Sequence, residues 1–212
     1  MSGWTVQNLE PRPRVAAPPM PPFVAKVSSR RSFAAKVGTG FLVHPRILVT
    51  AAHVVSFPSA GKVLCAQKVN VRAGAWDCWA DAFALPGEWL AGMPQLFDFA
   101  VLRLAEPACE PALTCLLEEM AGAAVAAAEL LGFGAAPEHI QAQRKAEELE
   151  YPLADKPSWS GGAISKGKKD NRPLVIGVHT SHTNDDGMGR GLVLAAEEIL
   201  RAMRLLGLGG TA

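Results

Sequence analysis

From Phe23 onward, apolar and β-branched residues arrive in short runs broken by glycine, proline and charged turns. Phe33-Ala34-Ala35-Lys36-Val37 leads through Gly38-Thr39-Gly40 into Phe41-Leu42-Val43. His44-Pro45-Arg46 then turns the chain into Ile47-Leu48-Val49-Thr50, a β-branched, apolar stretch that ends at Ala51-Ala52-His53-Val54-Val55. This is the pattern of a hairpin. Further runs follow at Val63–Cys65, Val69–Arg72, Trp79–Phe83 and Phe99–Leu104, before Pro107 and Pro111 mark a crossing. Residues 116–131 are rich in alanine and glutamate and favour helix by propensity. They stand where a second set of strands is needed, however, and Gly132-Phe133-Gly134 closes them like a strand exit, so they are predicted as strand. Residues 141–150 are polar and charged and read as a solvated loop or a short helical excursion. Leu174–His179 and Gly191–Leu194 are predicted strands. Ala196, Ile199, Leu200, Met203 and Leu206 recur at helical spacing, which predicts an amphipathic C-terminal helix packed on the last domain and stopped by Gly207. Many short strands separated by turns point to an all-β sandwich or to barrels.

Composition narrows this picture. About half of the 212 residues are apolar (49%) and 19% are charged, enough for a substantial core and too few charges for general disorder. The formal net charge of +1 gives no electrostatic reason to expect a nucleic acid or an anionic membrane as partner. No apolar run reaches membrane-spanning length. The first residues lack the basic segment and apolar run of a secretion leader, so a cytoplasmic location is expected. The four cysteines, Cys65, Cys78, Cys109 and Cys115, then read as reduced thiols. A bridge between Cys109 and Cys115 stays open, and the spacings do not match a zinc site. Residues 1–31 are rich in proline and arginine at their start and are assigned to an extended N-terminal arm. Residues 32–110 and 111–212 form the two predicted domains.

The candidate chemistry centres on Pro157-Ser158-Trp159-Ser160-Gly161-Gly162. Two glycines after a serine allow a tight turn that presents the hydroxyl, with amide hydrogens aimed into the same space. Alone this is ordinary loop composition. His53 follows a strand and two alanines, small neighbours that leave room for an imidazole able to take a proton near neutral pH. Asp98 opens an apolar strand, where burying a carboxylate is costly unless a partner such as a histidine ring N–H satisfies it.

Together these residues resemble the chymotrypsin-like (trypsin-fold) serine peptidases. Thr50-Ala51-Ala52-His53 resembles their histidine motif, Asp98-Phe99-Ala100-Val101-Leu102 their aspartate motif, and Ser160-Gly161-Gly162 their nucleophile motif. The order His, Asp, Ser is theirs also, unlike that of subtilisins or α/β-hydrolases. Within the group the sequence is most similar to bacterial V8-like (glutamyl endopeptidase-like) enzymes, on the strength of Gly177-Val178-His179 and the absence of a cysteine beside His53. The resemblance covers residues 32–206. It implies two antiparallel β-barrels followed by a C-terminal α-helix, the first barrel carrying His53 and Asp98 and the second Ser160. It implies Ser160 as nucleophile, His53 as base and then acid, Asp98 as orienting group, and an oxyanion hole from the backbone N–H groups of Ser158 and Ser160. Thr180 and Ser181, with His182, would pair with the substrate backbone. His179 would line the specificity pocket and favour an acidic side chain, and Asp155 would favour a basic one. His179 also reads as a core-facing strand residue. No cofactor and no metal are implied; the substrate is a protein or peptide.

Two departures stand out. Trp159 precedes the nucleophile where such peptidases commonly carry Asp or Asn, so zymogen activation through a salt bridge from a freed N-terminus is not expected. Ser158 replaces the usual glycine of the oxyanion loop, which suggests a hole set only when a substrate or an activating partner protein binds. The alternative is a catalytically silent peptidase fold that serves as a peptide or protein binding module.

Overall fold

The computed structural model describes residues 21–59, 61–73, 76–91, 97–108, 113–119, 122, 124–153, 159–183 and 187–208. The strands form two closed barrels of six strands each, the two barrels that the family resemblance implied. The first barrel is built from β1 (Val24–Arg31), β2 (Ala34–His44), β3 (Ile47–Thr50), β6 (Lys68–Ala73), β7 (Trp76–Ala84) and β8 (Ala100–Leu104). Around the wall they run β1-β2-β3-β8-β7-β6, and antiparallel pairing of β1 with β6 closes the ring. A 3-10 turn, Ala52–Val54, follows β3 and leads into a separate hairpin, β4 (Ser56–Ser59) with β5 (Lys62–Cys65). A single-turn helix α1 (Gly87–Leu90) follows β7. The second barrel takes β10 (Ala124–Leu131), β11 (Glu138–Lys145), β12 (Glu148–Pro152), β15 (Met188–Val193), β14 (Arg172–Thr183) and β13 (Ala163–Lys169) in that spatial order, and the β13–β14 pairing closes it. A short strand β9 (Leu116–Leu117) adds to it in parallel with β14. The helix α2 (Ala196–Leu205) ends the fold.

Alternation fills both barrels. In β3 all four residues are buried, because one face lines the barrel and the other is covered by the rest of the fold. In β12 only Leu149 and Tyr151 turn fully inward.

Three expectations need correction. The arm does not run to residue 31, since Val24 to Arg31 form β1, whose Val24, Ala25 and Val27 are core residues of the first barrel. The polar stretch 141–150 is neither loop nor helix. It belongs to the β11–β12 hairpin, where Ile140, Ala142 and Leu149 point inward while charged neighbours face water. The helix α2 packs on the first barrel, not the last domain. Ile199 is fully buried there, and Arg103 of β8 donates a hydrogen bond to the Leu206 carbonyl at 2.6 Å. Phe97, Phe99 and Val101 form an apolar surface that faces Ile199, Ala202 and Leu205 of the helix across a groove. Cys65, Cys78 and Cys115 are free thiols, in line with the reading of reduced cysteines. Cys109 itself lies outside the described residues.

Candidate active site

β3 and β8 are antiparallel neighbours with Thr50 opposite Ala100, so the chain leaves β3 and enters β8 at one rim of the first barrel. Three residues past Thr50 lies His53, and two residues before Ala100 lies Asp98. The pairing therefore brings them together. Asp98 grips the histidine with both oxygens: the His53 backbone N–H donates to Oδ1 at 2.9 Å, and the ring Nδ1 lies 2.7 Å from Oδ2. Asp98 is buried, with 11% of its side chain exposed, while a third of the imidazole reaches solvent. A carboxylate fixed on Nδ1 places the ring proton there and leaves Nε2 free to act as base.

The nucleophile turn comes from the second barrel and is anchored to the first. Thr39 of β2 donates its N–H to the Ser160 carbonyl at 2.8 Å. Gly161 has φ +88°, and a Cβ there would lie 2.0 Å from the Thr39 carbonyl and 2.3 Å from Thr50 Oγ1, so only glycine fits against the first barrel. Gly161 N–H donates to the His179 carbonyl at 2.7 Å, and His179 N–H to the Gly162 carbonyl at 2.8 Å, tying the turn to β14. The Ser160 hydroxyl donates to the Thr180 carbonyl at 3.4 Å rather than to His53. The Ser160 N–H has no acceptor among the described residues, as an oxyanion donor requires.

Ser158 and Asp155 lie outside the described residues. Trp159 is 2% exposed, and a Cβ on Gly132 would come within 2.4 Å of its indole. It is a core residue of the second barrel. His179 is also buried, its Nδ1 2.6 Å from the Tyr151 hydroxyl. Thr180 is nearly buried and donates from Oγ1 to the Arg190 carbonyl at 3.2 Å, while Ser181 is exposed.

Two further residues escaped the sequence reading. Lys36 of β2 donates from Nζ to the carbonyls of His53 and Ser56 at 2.8 and 2.7 Å and lies 5.0 Å from the Phe57 ring centroid. Burial lowers the pKa of its ammonium, and the Asp98 carboxylate acts in the opposite sense. A lone lysine in an otherwise apolar run was its only signal. Tyr151 is fully buried, and burial holds its hydroxyl well above the ordinary tyrosine pKa, so it remains a donor. It is the chain's single tyrosine. No group of three or more His, Cys, Asp or Glu side chains fit for a metal occurs among the described residues.

A carboxylate-held histidine at the rim of one barrel, with a serine on a tight glycine turn of the other docked against that barrel, is the framework of a serine hydrolase. The family model for trypsin matches residues 13–119, half of the chain, and the chain belongs to the trypsin family of serine endopeptidases. Among solved structures it is similar to a protease of M. tuberculosis in its active form, with 20% identity, TM-score 0.62, and coverage of 97% of this chain and 96% of the other. It is similar to a Glu endopeptidase at 12% identity and TM-score 0.69, covering 88% and 90%. A thermostable serine protease from an extremophilic microorganism gives 12% identity and TM-score 0.70, covering 87% and 97%. The comparison with curated protein sequences returns no match.

Proposed function

We propose that the chain cleaves peptide bonds through Ser160, His53 and Asp98 by way of an acyl-enzyme. Ser160 Oγ attacks the carbonyl carbon and passes its proton to His53 Nε2. His53 then gives that proton to the leaving amine, while Asp98 keeps the ring oriented and stabilises its charged form. Water repeats the sequence on the ester. The N–H groups of Ser160 and Ser158 hold the oxyanion, a donor of this kind contributing about 3–4 kcal/mol. The observation that carries the reading is the double hydrogen bond from His53 to Asp98. Fluorophosphonate labelling tests it: covalent modification in the wild type, abolished in Ser160→Ala.

The second reading, a silent binding module, has one observation in its favour: the Ser160 hydroxyl is turned to the Thr180 carbonyl. The same observation suits an enzyme at rest, whose serine swings to His53 when substrate or an activating partner seats. Absence of labelling with and without peptide substrate would leave the binding module ahead. The buried Trp159 supports an activation route other than an N-terminal salt bridge. A cytoplasmic setting draws support from the three free thiols; recovery of the native protein from the secreted fraction of its source cells would overturn it.

A further inference from the structure

Beyond His179, β14 is paired on one side only. Ser181, His182 and Thr183 stand opposite Arg190, Gly189 and Met188 of β15, whereas pairing with β13 stops at Val178. The other edge has no strand among the described residues, and it begins at the Thr180 carbonyl, 3.4 Å from the Ser160 hydroxyl. An edge of this kind accepts an extended peptide as an added strand, with side chains of opposed residues sharing a face.

The face that Arg190 presents follows from its neighbours. A Cβ on Gly189 would point 2.4 Å from the Tyr151 ring, and one on Gly191 2.5 Å from Ile164 Cδ1, both inside the second barrel. Alternation turns Arg190 outward, onto the face of the exposed Ser181 and away from buried His179. On its other side Arg190 faces Glu150, whose carboxylate is engaged by Lys145. The Arg190 Nε is closed off from solvent and has no hydrogen-bond partner, and no ion pair to this residue occurs among the described residues. A half-buried guanidinium is weakly hydrated, and its planar fork matches a carboxylate.

We propose that Arg190 is a specificity-determining residue that recognises an acidic side chain of the substrate, on the residue opposite Ser181. This rests on the peptidase reading of the cleft. Arg190 and that substrate residue are separated by two strand spacings of about 4.8 Å each, a gap that an arginine and a glutamate bridge together. Ser181, small and lying between them, leaves the path open. The recognised side chain lies on the opposite face of the substrate strand from one pointing toward His179.

The test is a peptide series in which each of four positions before the scissile bond carries Glu, Gln or Lys in turn. It is cleaved by the wild type, Arg190→Gln and Arg190→Lys, with active enzyme counted by fluorophosphonate labelling. At one position the wild type should prefer Glu over Gln by about tenfold or more in kcat/KM. Arg190→Gln should lose that preference with the Gln peptide cleaved as before, and Arg190→Lys should keep part of it. No Glu preference beyond that attributable to a single pocket-facing residue, or an equal loss for both peptides in Arg190→Gln, overturns the proposal. If Ser160 is not labelled, the peptidase reading fails by itself. The proposal is then decided by the affinities of Ser160→Ala, with and without Arg190→Gln, for the Glu and Gln peptides. Equal affinities in Ser160→Ala overturn it.

Discussion

Asp98 spends both carboxylate oxygens on one residue, so its replacement separates orientation from charge. Asp98→Asn keeps the shape but presents an amide to Nδ1, which favours the tautomer with the proton on Nε2 and removes the base. A loss of about 10⁴-fold in kcat is expected, with the thermal unfolding midpoint little changed, measured by steady-state kinetics beside calorimetry. Lys36 acts one layer out. Lys36→Met removes two donors from the carbonyls of His53 and Ser56 and a positive charge near Asp98. The turn that carries His53 should then loosen, and kcat/KM should fall by about tenfold with the Ser160 labelling rate falling in step. An unchanged labelling rate would show that Lys36 plays no part in positioning His53. His53 and Asp98 were legible because each carries its strand and its small or apolar neighbours in the local sequence. Lys36 and Tyr151 were not, since their roles depend on partners 17 to 28 positions away that only the closed barrels bring near.

At the scale of elements, the strands of the first barrel were plain because β3 and β8 are apolar at every position but one each, Thr50 and Arg103. The β11–β12 hairpin hid behind its outward charges, although Ile140, Ala142, Leu149 and Tyr151 keep the period of two. That hairpin turns through Ala146 at φ 55°, a left-handed conformation that costs a residue with a Cβ about 1–2 kcal/mol. Ala146→Gly should therefore stabilise the protein by up to about 1 kcal/mol, read as a higher urea midpoint; a lower midpoint would mean that the loss of chain entropy outweighs the relieved strain. The destination of α2 was illegible for a different reason. An amphipathic stripe states that one side must be covered, but not by which barrel, and Phe97 and Phe99 supply that information only after folding.

For the whole molecule, the alkaline limit is set by groups sealed in apolar surroundings. Burial pushes the Cys115 thiol up to about 12 from 9.0, with the Arg172 charge acting the other way, and burial raises Tyr151 too. A group with a raised folded pKa binds its proton more tightly when folded. Its contribution is complete below the unfolded value and is lost as pH climbs toward the folded one. Stability should decline from about pH 9 upward, by at most about 1.4 kcal/mol per pH unit for one proton. Urea titrations at successive pH values check this, and Cys115→Ala should flatten the part of the slope that begins before tyrosine ionises.

Thr39 joins the two halves of the molecule at the place where its chemistry happens. Its N–H holds the Ser160 carbonyl, its side-chain oxygen accepts from Phe133 N–H at 3.0 Å, and its carbonyl accepts from Thr50 Oγ1 at 2.6 Å. One residue thus links a strand pair of the first barrel to the nucleophile turn and to a loop of the second. Hydrolysis consequently doubles as a gauge of whether the barrels are docked. A perturbant that parts them while each stays folded should extinguish turnover and serine labelling together, well before circular dichroism registers any lost strand.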